Sequence, residues 1–135
     1  MAKVIAYTDG GAEPNPGIGG WGVVLRSGEH RKELYGGADH ATNNAMELTA
    51  ALMALKALKQ SCEVEIISDS QYLVNTMSKG WKRNKNTDLW DALDDAANPH
   101  LVTWTWVKGH NGTVDNERAH DLAERGIREQ RRKSA

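Results

Sequence analysis

The alternation of apolar and polar positions divides the chain into nine segments. Residues 3–8 are almost continuously apolar, as a strand covered on both faces would be. Residues 21–25 and 31–35 read as two more strands, joined by a turn at Ser27-Gly28-Glu29, so the first three strands make an antiparallel meander. The stretch Ala12-Glu13-Pro14-Asn15-Pro16-Gly17, between the first two, has the composition of a turn-rich loop. A long helix follows over 43–59, with Leu48, Ala51, Leu52, Leu55 and Leu58 forming one apolar stripe at the helical period. Asn44 is suited to cap it, which would put Glu47 at the third helical position, where a capping box places a glutamate. The remaining segments are a strand over 63–68, helices over 70–77 and 87–97, a strand over 101–107 and a closing helix over 115–129. Asn86 or Thr87 is the expected cap of the 87–97 helix. In the last strand Val102, Trp104 and Trp106 alternate with Thr103 and Thr105, so the tryptophans are expected to pack on the sheet.

Two acids punctuate this pattern. Asp9 ends the first apolar run and Asp69 ends the run Val64, Ile66, Ile67, and open α/β sheets place their chemistry at the carboxyl ends of strands. If the 43–59 helix is a crossover, the two runs are parallel neighbours and both acids emerge side by side at one sheet edge. Two such carboxylates suggest a metal site. Each also has a purely structural reading: Asp9-Gly10 is a turn dipeptide, and Asp69 or Ser70 can cap the helix after it. Glu47 is likewise either a cap partner or, from the first turn of its helix, a third carboxylate over the same edge.

Composition narrows the class. At 135 residues and 39% hydrophobic content the chain makes a single domain, expected to span residues 1–135 with a basic tail from about 127. The lone Cys62 precludes an internal disulfide, and no segment has the run of about 20 apolar residues that crosses a bilayer. A cytoplasmic monomer without a membrane partner is the expectation. Net charge is only −1, but cations are clustered. Lys79, Lys82, Arg83 and Lys85 surround Trp81, and Arg125, Arg128, Arg131, Arg132 and Lys133 load the C-terminal end. Such runs are commonly solvated surface. They also suit a nucleic-acid groove, where phosphates take cations and bases or sugars take a flat aromatic face.

With these residues in place, the sequence resembles type 1 ribonuclease H. The resemblance is carried, in family order, by Tyr7-Thr8-Asp9-Gly10-Gly11, Thr42-Asn43-Asn44-Ala45-Met46-Glu47-Leu48, Ser68-Asp69-Ser70-Gln71-Tyr72, Asp88-Leu89-Trp90, Trp106-Val107-Lys108-Gly109-His110-Asn111-Gly112 and Asn116-Glu117, nearly the whole chain. It implies an α/β ribonuclease H-like fold: a mixed five-stranded sheet, antiparallel in its first three strands and then parallel, flanked by helices. It implies an endonuclease that cuts the RNA strand of RNA:DNA hybrids with two divalent ions, magnesium or in its place manganese, leaving 5′-phosphate and 3′-hydroxyl ends. Hard ions of this kind take carboxylate ligands, here Asp9, Glu47 and Asp69. By the same resemblance Asn43, Asn44 and Gln71 would contact the minor groove, and Asn15 and Thr42 would hold a DNA-strand phosphate. His110 would assist proton transfer or product release.

Two positions depart from the family pattern. Four residues after the Asn of the Asn-Glu pair the family usually carries an Asp as fourth metal ligand. Here that place is His120, and the acid stands one residue on, at Asp121. One residue turns a helical side chain by about 100°, so Asp121 is expected to face solvent and His120 to take the fourth site. The second departure is the basic protrusion of several bacterial members, reduced here to residues 78–86. Trp81, Lys82, Lys85 and Asn86 are expected to keep a shortened DNA-strand channel. Two other readings stand beside the enzyme: a hybrid-binding module with weakened catalysis, motivated by His120, and a nuclease of the same fold acting on DNA junctions, which the Asn43-Asn44 pair disfavours.

Overall fold

In the computed structural model, which describes residues 1–109 and 112–135, the apolar runs form five strands: β1 (Ala2–Glu13), β2 (Gly17–Ser27), β3 (His30–Ala41), β4 (Cys62–Ser68) and β5 (Leu101–Trp106). Four helices accompany them: α1 (Asn43–Lys56), α2 (Gln71–Lys79), α3 (Thr87–Ala97) and α4 (Val114–Ser134). The sheet order is β3-β2-β1-β4-β5, with β1, β2 and β3 antiparallel and β1, β4 and β5 parallel. That is the mixed sheet expected from the sequence. Among the described residues no helix is long and apolar enough to cross a membrane.

Alternate residues of each strand face opposite layers. Val4 and Ala6 of β1, with Val23 and Leu25 of β2, join Leu48, Ala51, Leu55, Leu73, Trp90 and Leu93 in the main core under α1, α2 and α3. The other face of β2 is covered by α4, where Val24 meets Ala119 and Leu122. Glycines let that helix lie directly on strand backbone. A Cβ on Gly22 would overlap the carbonyl oxygen of Ala119, and one on Gly20 would overlap that of Ala123.

Several boundaries differ from expectation for local physical reasons. β1 does not end at Asp9: its pairing with β4 stops at Tyr7↔Ile67, but its pairing with β2 continues to Glu13↔Ile18. Asp9 is therefore no turn residue, and the expected loop shortens to a turn at Pro14-Asn15-Pro16, with Ala12, Glu13 and Gly17 in the strands on either side. α1 is capped by Thr42, whose Oγ1 accepts from Ala45 N at 3.1 Å, and Asn44 lies within the helix. Glu47 thus falls two positions deeper than a capping box would put it. The basic end is not a tail, because α4 runs unbroken through Arg125–Lys133 to Ser134. Trp106 is 44% exposed, where packing had been expected, since β5 is an edge strand.

The start of α4 is clamped to the sheet by charge. Asp115 takes Arg26 and Arg31, and Glu33 takes Arg31 and Arg118. The Arg118 and Arg31 guanidiniums outweigh partial desolvation and lower the Glu33 pKa to about 2. An acid depressed in the folded state adds stability above its ordinary range, near 4.5, and loses it as pH falls through the folded value. Glu33→Gln should therefore lower the melting temperature at pH 7 and converge with the wild type toward pH 2. Gly22→Ala, which forces α4 off β2, should cost roughly 1–3 kcal/mol in chemical denaturation.

Candidate metal centre and hybrid-binding surface

Two strands and a helix bring three acids together where the parallel pairing of β1 and β4 stops. Asp9 and Asp69 each stand two residues beyond the last parallel pair, Tyr7↔Ile67, so their side chains leave the sheet as neighbours. Asp69 is fixed from behind by the helix that follows: Ser70 Oγ accepts from Leu73 N at 3.1 Å, and Trp106 Nε1 donates to the Asp69 carbonyl at 3.1 Å. Ser70, not Asp69, is the α2 cap, which leaves the Asp69 carboxylate to the site. Glu47 arrives from α1. Because Gly10 has no Cβ, the backbone of Met46 and Glu47 sits directly on β1, and this close approach carries Glu47 over Asp9.

One carboxylate oxygen from each of Asp9, Glu47 and Asp69 falls within a cluster whose atoms lie inside 4.8 Å of one another. Asp9 and Glu47 are buried, and among the described residues Glu47 Oε1 has no hydrogen-bond partner. Burial, then the Asp69 charge, push Asp9 up to about 6 against the opposing bond from His120. Burial, then Asp9 and Asp69, raise Glu47 well above the usual carboxylate range. A buried oxygen without a donor among the described residues, beside three mutually repelling acids, is the environment a hard divalent cation satisfies. The residues present therefore fit divalent ions.

His120 completes the rim from α4, with Nδ1 2.8 Å from Asp9 Oδ2 and Nε2 3.0 Å from Glu124 Oε1. Burial lowers its pKa, but the bond and charge of Asp9 and the charge of Glu124 prevail and hold it above the ordinary 6.5. Asp121 is exposed, as a one-residue turn of the helix requires. A small cleft between Asp9, Asp69 and His120 is walled by Thr8, Lys108, Asn116 and Glu117. Sequence reasoning quoted Lys108, Asn116 and Glu117 within motifs but assigned them no place in the site. Glu124 was missed altogether; its four-residue spacing from His120 was the available signal. His110 lies outside the described residues.

A second, wider cleft brings together Asn15, Thr42, Asn43, Asn44, Lys82, Lys85 and Asn86. Its wall is stitched by amides: Asn43 N donates to Asn15 Oδ1 at 3.1 Å, Ala12 N donates to Asn43 Oδ1 at 2.8 Å, and Asn86 Nδ2 donates to Tyr72 Oη at 3.2 Å. Asn86, in a left-handed conformation, precedes α3 without a side-chain capping bond. Gln71, at the start of α2, and Trp81 are exposed but do not line this cleft. Arg83 belongs to the fold, bonded to Asp94 at 2.5 Å and stacked on Trp90 at 5.0 Å. No helix forms between α2 and α3, so the segment carries no protrusion.

Comparison with known proteins agrees with this geometry. The RNase H family model matches residues 1–128. Ribonuclease H of Neisseria meningitidis serogroup C is 54% identical over 136 residues, covering 91% of this chain and 94% of that protein. Ribonuclease H of Cupriavidus metallidurans is 51% identical over 140 residues, covering 94% and 97%. Among solved structures, the N-terminal RNase H domain of rv2228c from Mycobacterium tuberculosis aligns at TM-score 0.87 and 26% identity over the full length of both chains. LC11-RNase H1 in complex with RNA/DNA hybrid aligns at TM-score 0.80 and 25% identity, covering 93% of this chain and 97% of that one.

The carboxylate cluster makes a testable demand on the metal-free protein. An acid raised in the folded state costs stability once ionised, and that cost is relieved as pH falls through about 6 toward its ordinary 3.8. At pH 7.5 Asp9→Asn should stabilise the metal-free protein by ~1–3 kcal/mol. Added Mg2+ or Mn2+ should raise the melting temperature of the wild type and leave that of the variant nearly unchanged.

Proposed function

The chain belongs to the ribonuclease H family and is an enzyme that cuts the RNA strand of RNA:DNA hybrids with divalent metal, and we propose that its catalytic centre is Asp9, Glu47, Asp69 and His120, holding two ions. The observation that carries this reading is the cluster of three acids, with the buried Glu47 oxygen left without a donor. Mg2+ is the proposed ion and Mn2+ a substitute. Bound there, such ions activate a water and stabilise the departing oxygen.

Asp9 stands between the other acids and His120, so it would face both ions. Glu47 and Asp69 would hold the ion on the leaving-group side, and His120 the ion on the water side. Water oxygen attacks the scissile phosphorus and the bond to the 3′ oxygen breaks. The water's proton is given up, the departing 3′ oxygen takes one, and the products are a 5′-phosphate and a 3′-hydroxyl. His110 is the proposed proton carrier. Glu47 would also sense a 2′-hydroxyl, the group that separates RNA from DNA.

The wider cleft is the proposed seat for a phosphate of the DNA strand, with Asn15 and Thr42 on one side and Lys82, Lys85 and Asn86 on the other. Asn43, Asn44 and Gln71, all exposed, would reach the minor groove, and exposed Trp81 would offer a sugar its flat face. With Arg83 held by Asp94 and no protruding helix, few cations remain for this strand, so binding should be weaker than in relatives with a protrusion and, with fewer phosphates neutralised, should fall less steeply as salt rises.

Imidazole is a poorer partner for magnesium than carboxylate, and suits manganese better. A labelled RNA:DNA hybrid, with duplex RNA and duplex DNA as controls, should be cut in either metal by the wild type and not by Asp9→Asn. His120→Asp should raise the Mg2+ rate relative to the Mn2+ rate by about tenfold, the scale of a ligand-shell change. An unchanged metal preference would remove His120 from the ligand set. Hybrid binding without cleavage in either metal would make the chain a binding module instead.

A further inference from the structure

We propose that Glu124 is the positioning residue of this site: its carboxylate accepts from His120 Nε2 and so aims Nδ1 at Asp9 and the adjoining ion. The proposal rests on the reading of His120 as a ligand. His120 and Glu124 are one turn apart on α4 and share a face, and their atoms meet at 3.0 Å. The other ring nitrogen lies 2.8 Å from Asp9 Oδ2. The two nitrogens of an imidazole point in divergent directions, so a partner that fixes one determines where the other looks and which of them carries the proton.

An aspartate at position 120 would need no such help, since either carboxylate oxygen can meet a cation. A histidine does, because only the nitrogen without its proton can coordinate. Metal-binding histidines regularly donate their second N–H to a carboxylate for this reason. Here Glu124 reaches His120 along a groove that runs between β1 and α4, bounded by Asp9, Glu13 and Asn43 and floored by Ala123 and Ile127. Ala123 and Ile127 are buried against Gly20, so the α4 backbone that carries both polar side chains is held close to the strand. As a stabilising ion pair on a half-exposed helix face, His120–Glu124 would contribute little. Its consequence lies in the ring orientation, and the pair together takes the place of the single Asp usual at this point.

The test is a double-mutant cycle on Mn2+ affinity, measured by calorimetry on the intact protein, with the side-chain 15N shifts of His120 in the Mg2+-loaded protein as a second readout. Glu124→Ala should weaken Mn2+ binding roughly 10–100-fold in the wild-type background and hardly at all in the His120→Asp protein. The 15N spectrum of wild type should show the tautomer protonated at Nε2, and Glu124→Ala should give a mixture. Glu124→Gln, whose amide oxygen can still accept from Nε2, should recover most of the affinity and the single tautomer. Equal losses in the two backgrounds would mean that Glu124 acts through its charge alone and would overturn the proposal, as would full affinity in Glu124→Ala. If His120→Ala binds Mn2+ as tightly as wild type, it is the assignment of His120 as a ligand that fails.

Discussion

Three carboxylates held within 4.8 Å of each other repel one another, and most of what is particular to this fold works to keep them there. Left in water the acids would separate and ionise. Here two are buried, and their raised pKa values record the work done against desolvation and like charge. The restraint is local at each corner: parallel pairing brings Asp9 beside Asp69, the Ser70 cap frees the Asp69 side chain, and Gly10 lets α1 descend until Glu47 reaches the others. A divalent cation turns this arrangement from a strain into an attraction, so the same geometry that costs stability in the empty protein stabilises it when loaded.

The fourth corner is built differently. α4 approaches from the opposite layer, lying on glycines of β2 and clamped at its start by the Arg26, Arg31, Asp115, Glu33 and Arg118 network. Both devices set the distance and rotation of the helix, and through them the reach of His120 toward Asp9. A ring is a longer and more directional ligand than a carboxylate, so the site depends on the helix pose and on whatever holds the far side of the ring. The glycine contacts and the ionic clamp thus belong to the chemistry of the edge as much as to the stability of the fold.

Much of this was legible in the sequence because it rests on periodicity. The near-continuous apolar run before Asp9, the β-branched run before Asp69 and the leucine stripe between them fix a parallel pair with its crossover, and the acids follow from topology. The helix start was misplaced because Asn44 and Thr42 are both good caps. The choice was made by the end of β1 and the turn after it, where Asn15 and Ala12 hold the backbone and side chain of Asn43. The length of β1 depended on its partner β2, which continues pairing past the point where β4 stops. The continuation of α4 through its basic end goes with hydrogen bonds from Gln130 and Ser134 to Asp39 of β3 and from Arg131 to the Glu13 carbonyl of β1, and charge composition alone suggested a frayed segment. Glu124 was hidden for another reason: its significance exists only once His120 is seen to face Asp9.

The central claim is that this edge binds two ions through Asp9, Glu47, Asp69 and His120. Anomalous diffraction from crystals of the wild-type protein grown with Mn2+ and an RNA:DNA hybrid, its scissile linkage replaced by a non-hydrolysable one to halt cleavage, tests it most directly. The account predicts two anomalous peaks flanking Asp9, one beside Glu47 and the other within bonding distance of His120 Nδ1. A single peak with the His120 ring turned away, or ions bound elsewhere on the surface, would contradict it.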